Sequence, residues 1–402
     1  MGAWHVAVHA NIKSVYIGSG RRRNRGNGSA WLILFLMGLV LIGGYTLIQQ
    51  RLGNSLGLSS GNATALPSVT PTRSVENFVA LAEDAYRKGD YRAAINFYDQ
   101  ASRRRPNDVS LYALSARLMV FLGQAPKAEQ KALKALQMDP GNAPAKAVLC
   151  MAIDWQGRYS EALPICQAAT ELDPKSSMAF AYLAEAQVDN GDVRSGRASA
   201  QRALDLDPRN EDAMRNLAYT YEQGGSYTDA TFYYEETLKL NPNMPHVLNA
   251  TGRSYVIQGQ IPKGILYFKR AIEVDPQNSE AYDRLGGAYF AIGEYDQSRI
   301  ALDKAADLDP MRVTIWTRKG ILDFQVRKYE AAVADYTRAL TTSQIVSATL
   351  NITDYINYAF ALQLTDDCAR AIPVFNHVST MAPGDADVQD KVAVGLKRCG
   401  GK

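Results

Sequence analysis

A dipeptide that returns at a fixed interval constrains this chain more than any other feature. Asp139-Pro140, Asp173-Pro174, Asp207-Pro208, Asn241-Pro242, Asp275-Pro276 and Asp309-Pro310 stand 34 residues apart, and Arg105-Pro106 lies one step earlier. Proline has no N–H to donate and disfavours helical geometry in the residue before it, so each pair stops a helix. Between stops the apolar residues recur at helical spacing in two runs. After Ser279, Tyr282, Leu285, Gly286 and Tyr289 form one run, Gly293 breaks it, and Tyr295, Leu302 and Ala305 form the next. The break carries glycine seven times, at Gly89, Gly123, Gly157, Gly191, Gly225, Gly259 and Gly293. A 34-residue helix-turn-helix unit cannot bury its apolar face alone, so the units must stack into an all-α solenoid.

The residues that fill this period resemble the tetratricopeptide repeat family. Its large, small and aromatic signature positions are matched by Leu81, Gly89, Tyr91, Ala94, Tyr98, Ala101 and Pro106, and again by Leu217, Ala218, Tyr221, Tyr227, Ala230, Tyr234 and Pro242. The resemblance covers roughly residues 75–402 and implies a right-handed α-α superhelix that serves as a protein-binding scaffold. Counting from the prolines gives eight units from 75–108 to 313–346 and a ninth over 352–385. Residues 386–402 then read as a capping helix, with Val388, Val392, Val394 and Leu396 on its apolar side, because a terminal unit has no neighbour to cover it. Small residues recur where paired helices must approach, among them Ala82, Cys150, Gly252, Gly286 and Gly320, with Ala94, Gly196, Gly264 and Ser298 opposite. Larger side chains there would overpack the pair. Pro164 and Pro373 fall inside second helices and are expected to bend them. The eighth unit departs from the pattern. It carries Lys319 and Asp323, four residues apart and expected to pair with each other, puts Arg327 where the glycine stands, and lacks the closing proline.

The 74 residues before the first unit have a different character. They hold seven basic side chains and no acidic one, which leaves 44 − 7 = 37 basic against 41 acidic residues for the rest. A mildly acidic solenoid argues against a nucleic-acid footprint. Residues 1–29 form a basic tail. Ala30 to Ile48 is an uncharged apolar run of roughly 28 Å as a helix, about the hydrocarbon thickness of a bilayer, and predicts one transmembrane helix. Lys13, Arg21, Arg22, Arg23 and Arg25 precede it, so the N-terminus is expected in the cytoplasm and the solenoid outside it, at the cell membrane. Residues 49–74, rich in Ser, Gly, Asn, Thr and Pro, form a flexible linker.

Catalysis has little to work with. His5 and His9 lie in the unpatterned N-terminus, His246 and His377 occur singly on helical units, and no nucleophile-base order, phosphate loop, dinucleotide fingerprint or Cys-x-x-Cys occurs. The expectation is no enzyme, no cofactor, no metal and no small-molecule substrate. The four cysteines carry more. Cys150 and Cys166 are equidistant from the Gly157-Arg158 turn, and Cys368 and Cys399 nearly so from Pro383-Gly384, which brings each pair level in antiparallel helices and makes both disulfide candidates. The alternative is that each is a small buried residue.

With the family's geometry, in which first helices line the concave wall, the groove-facing residues are Tyr182, Glu185, Arg215, Asn216, Tyr219, Asn249, Arg253, Asp283, Arg284 and Arg318. Arginine and tyrosine are frequent binding anchors, and the arginines point to an acidic or carboxylate-bearing protein or peptide. The family's clamp for chaperone tails is not matched, since Val79 and Glu83 stand where it has lysine and asparagine. The function expected is a membrane-anchored scaffold holding a polypeptide in its groove. Two others stay open: an assembly subunit of an envelope or secretion complex that uses its convex edges, and a cytoplasm-facing recruiter of soluble partners.

Overall fold

The computed structural model describes residues 74–400. The basic tail, the expected membrane helix and nearly all of the linker lie outside the described residues. Among those described, no helix is long and apolar enough to cross a membrane.

Nineteen helices follow one another with no strand among the described residues. They pair as α1 (Val75–Arg87) with α2 (Tyr91–Arg104), α3 (Val109–Phe121) with α4 (Ala125–Met138), α5 (Ala143–Asp154) with α6 (Tyr159–Leu172), and α7 (Ser177–Asp189) with α8 (Val193–Leu206). The series continues with α9 (Glu211–Gln223) and α10 (Tyr227–Leu240), α11 (Pro245–Ile257) and α12 (Ile261–Val274), α13 (Ser279–Ala291) and α14 (Tyr295–Leu308), then α15 (Val313–Gln325) and α16 (Tyr329–Ile345). The ninth pair is α17 (Ile352–Leu364) with α18 (Cys368–Met381), and α19 (Ala386–Arg398) closes the stack.

The recurring dipeptide has a local cause. Asp139, Asp173, Asp207 and Asp275 each end a helix in extended geometry, as the following proline demands. Their carboxylates accept from the backbone N–H two residues on, at 3.0 to 3.1 Å. Asn142, Ser176, Asn210 or Asn278 then caps the next helix, satisfying an N–H that has no partner within it. The glycine turns all lie at positive φ, between 72° and 90°, which L side chains adopt only with strain. In the eighth unit Arg327 takes this conformation with φ 62°. Without a closing proline, α16 runs to 17 residues where the other second helices have 14.

The small residues sit at the helix crossings. A Cβ on Gly252 would stand 2.6 Å from the Phe268 ring, one on Gly286 2.6 Å from Leu302, and one on Gly264 2.8 Å from the Gly252 carbonyl. Pro164 and Pro373 are accommodated within continuous helices. On α19, Val388 and Val392 are buried against the last pair, but Val394 is 49% exposed, because it lies six residues from Val388 on the opposite side of the helix. Lys319 and Asp323 do not pair with each other. Lys319 reaches Asp303 and Asp323 meets Arg299, both on α14, so the departures of the eighth unit bind it to the seventh. Both cysteine pairs come within disulfide distance, with Cα separations of 5.3 Å for Cys150 and Cys166 and 5.4 Å for Cys368 and Cys399.

Candidate functional site

The coil of the first six units folds back on itself. Tyr86 of α1 donates to Glu211 of α9, and the Tyr91 hydroxyl of α2 lies 3.4 Å from His246 Nδ1 of α11. Arg92 pairs with Asp275 at 2.6 Å, while the Asn243 amide donates to the Arg87 carbonyl at 3.0 Å. Gly89 lies directly beneath the Asn243 carbonyl and Val274, leaving no room for a side chain. Chain positions about 155 residues apart thus meet across the groove.

Arg117 holds this closure at its centre. Its Nε donates to Asp212 at 2.8 Å and to the Tyr182 hydroxyl at 3.0 Å, and a terminal nitrogen donates to Tyr86 at 3.2 Å. The guanidinium also lies over the Tyr86 and Phe121 rings, 5.2 and 5.4 Å from their centroids. Burial alone would raise the Asp212 carboxyl; Arg117, with Arg215 and Tyr182, reverses that and holds it at about 2.

Beside this closure a cavity of about 440 Å³ remains. Phe121, Trp155, Tyr159, Tyr219, Tyr234 and His246 give it aromatic walls. His246 stacks on Phe121 with ring centroids 3.9 Å apart, and burial together with Arg215 keeps its imidazole neutral, well below the usual histidine range. Trp155 and Tyr159 are 37% and 42% exposed. Five carboxylates line the cavity (Asp154, Glu185, Asp189, Asp275 and Glu280) against four arginines (Arg92, Arg215, Arg253 and Arg312).

Of the groove residues expected from the sequence, Glu185, Arg215, Tyr219, Asn249 and Arg253 line this cavity. Tyr182 and Asn216 are buried behind its wall, the first bonded to Asp212 and the second to the Ala181 carbonyl. Asp283, Arg284 and Arg318 do not line it. The four arginines that pointed to an acidic partner are each committed. Arg215 holds Glu185 through two bonds of 2.7 and 3.0 Å, Arg253 holds Glu222 at 2.6 Å, Arg284 holds Glu280 at 2.6 Å, and Arg318 meets Asp283. For Arg215, whose side chain is 7% exposed, the physical reason is burial, since a guanidinium in such a wall needs a carboxylate at once.

The residue that sequence reasoning missed is Asp154. It is 2% exposed, lines the cavity and meets no N–H or hydroxyl donor among the described residues; its carboxyl faces that of Asp189 across a shared proton. Burial, with Glu185 and Asp189 nearby, pushes its carboxyl up to about 9. Asp189 is raised by burial too, and accepts from the Tyr219 hydroxyl. A signal was available. In the same phase of the other units stand Tyr86, Val120, Val188, Val256, Phe290 and Phe324, so Asp154 and Glu222 are carboxylates at a position otherwise apolar or aromatic. His246 had a weaker one, the departure Asn-Pro-Asn-Met-Pro-His from the usual joint.

Stacked helix pairs of constant length around a shared core define a repeat solenoid. The sequence model described as Tetratricopeptide repeat matches residues 79–143, 182–245 and 249–311, and the chain is a tetratricopeptide repeat protein. Solved structures agree on the fold. The crystal structure of the APC/C hetero-tetramer Cut9-Hcn1 is similar at a TM-score of 0.64 with 14% identity, over 76% of this chain and 59% of that one. A structure of the human IFIT1 dimer with PPP-AAAA gives 0.53 at 17% identity, over 77% and 84%. The IFIT1 monomeric mutant with m7Gppp-AAAA gives 0.56 at 16% identity, over 80% of each chain. No curated protein matches the chain at the level of sequence.

Proposed function

We propose that this protein is a membrane-anchored scaffold that holds a segment of another polypeptide in the cavity its first seven units enclose. Tetratricopeptide repeats are protein-interaction modules, and the observation that carries the reading is a mouth edged by half-exposed Trp155 and Tyr159 in front of a polar interior. Aromatic side chains offer large contact area at small entropic cost, which is why they recur as interface anchors. The anchor itself is the apolar run from Ala30 to Ile48, with the basic tail on the cytoplasmic side and the right-handed superhelix outside. We assign it no catalytic role. The PPP-AAAA of the IFIT1 structure has no matching chemistry here, because a polyphosphate would face five carboxylates and four arginines that are already salt-bridged.

A second reading, as an assembly subunit, is favoured by one feature. Phe232, Leu266 and Ile300 recur at the 34-residue period on α10, α12 and α14 and are 55%, 57% and 64% exposed, a regular apolar row. A photo-reactive residue at Tyr159 and another at Ile300, each in native membranes, separates the two. Cross-linking from Tyr159 alone supports the cavity; cross-linking from Ile300 alone rejects it in favour of the apolar row.

A further inference from the structure

The groove arginines were expected to attract carboxylates, and the chemistry of the cavity is the reverse. Arg92, Arg215, Arg253 and Arg312 pair with Asp275, Glu185, Glu222 and Asp309. Among the described residues no salt bridge reaches Asp154 or Asp189, which leaves two lining carboxylates without a cation. Asp154 is buried, neither of its oxygens meets an N–H or hydroxyl donor, and it faces Asp189, so two acids stand together with no positive charge between them. Around it stand electron-rich rings. Trp155 follows it in the chain, with its indole N–H fixed on Glu185 at 3.0 Å, and Tyr159 and Tyr219 line the same cavity. Carboxylates behind and aromatic faces at the mouth are what a desolvated alkylammonium group requires.

We propose that this cavity takes a positively charged alkyl group, the ammonium of a lysine side chain on the bound polypeptide, seated on Asp154 and Asp189 and flanked by Trp155 and Tyr159. The proposal rests on the cavity-binding function above and gives its partner a chemistry. The aliphatic stem of lysine would run between the rings at the mouth while the head reaches the carboxylates, a division suited to a long amphipathic side chain. Burial, with Glu185 and Asp189 beside it, keeps the proton on Asp154, and Arg215, bonded to Glu185, does not offset them; an arriving ammonium supplies the missing positive charge.

The test uses the full chain in lipid nanodiscs and titration calorimetry with three probes: a Gly/Ser peptide with one central lysine, its norleucine counterpart, and cadaverine. The lysine peptide should bind roughly tenfold or more tighter than the norleucine peptide, the step expected of one desolvated ion pair. Asp154→Asn should abolish that difference, and Trp155→Leu, which leaves both carboxylates in place, should reduce it several-fold. Equal affinity for the lysine and norleucine peptides overturns the cation site. Cadaverine binding as tightly as the lysine peptide overturns the polypeptide as its source. The segment cross-linked from Tyr159 keeps the two proposals apart: a captured segment without a basic residue sinks the cation site and spares the scaffold, while loss of cross-linking and of all peptide binding sinks both.

Discussion

The first six units and the last three are built from the same repeat but hold together differently. From α13 onward, the side-chain hydrogen bonds and salt bridges among the described residues join positions no more than 35 apart, that is, within a unit or to its neighbour. In the first six units Tyr86, Tyr91, Arg92 and Asn243 reach across 125 to 183 positions. A solenoid with only neighbour contacts has a stability that is nearly a sum over units, and it can open from an end. Closing the coil across its axis couples the first unit to the fifth and sixth. Rigidity around the cavity is what the closure supplies, and a pre-formed site loses less entropy on binding.

The sharpest way to break this contrast is at Arg117. Arg117→Ala strands Asp212, whose side chain is 3% exposed, as a buried charge, a loss of about 3–5 kcal/mol. Amide exchange should quicken in α1 and α9 together, although they lie more than 120 residues apart. Arg299→Ala, which removes the partner of buried Asp323, should quicken exchange only in α14 and α15. Equal, local effects of the two substitutions would show that the closure does not couple distant units.

A smaller difference is expected between two glycines in the same turn of the repeat. Gly89 has φ 79° and Gly293 φ 80°, so alanine brings both about the same strain, roughly 1–2 kcal/mol. Around Gly293 a Cβ meets nothing within 4 Å, whereas at Gly89 it strikes the Asn243 backbone. Gly89→Ala should therefore lose about 1–3 kcal/mol more than Gly293→Ala in denaturant unfolding, the excess measuring the closure.

These two turns also mark what the sequence made legible. Gly89 and Gly293 announce the same helix break, and the Asp-Pro joints, the small crossing residues and both cysteine pairs follow from spacing within one or two units. The closure follows from none of these. It depends on the small rotation between successive pairs accumulated over five units, and no single unit encodes that sum. For the same reason Arg215, Arg253 and Arg318 looked free, while the partner of Arg284 lay one turn away on its own helix. Arg253 and Glu222 lie 31 positions apart, and only the stacking angle of α9 on α11 decides that they meet. Asp154 could have been found by comparing units in phase, where it displaces an apolar residue, but its lack of a donor is a property of the folded cavity alone.

That lack predicts an opposite sign. Asp154→Asn should stabilise the protein at pH 8, by about 1–3 kcal/mol, since it removes a buried acid that the folded chain must keep protonated beside Asp189. The unfolded chain gives up this proton near the ordinary value of 3.8 and the folded chain only near 9, so between them the folded state binds the extra proton and stability falls as pH rises. Asparagine has no proton to lose. Its advantage should vanish below pH 4 and grow toward pH 9, as followed by urea unfolding at several pH values. A constant difference across that range would remove the titration of Asp154 as its cause.

The least effect is expected at Arg327, and it tests whether the later units keep the same turn under worse conditions. With φ 62°, Arg327 occupies the conformation that glycine holds in the seven earlier turns, and an L side chain is strained there. Arg327→Gly relieves that strain but frees the unfolded backbone, two contributions of opposite sign and similar size. The first should win narrowly, for a net gain of about 0.5–1 kcal/mol, because among the described residues Arg327 makes no salt bridge that glycine would forfeit. A net loss in urea unfolding would mean that the arginine contributes a stabilising contact of its own in the eighth unit, one that the glycines of the first seven turns do not make.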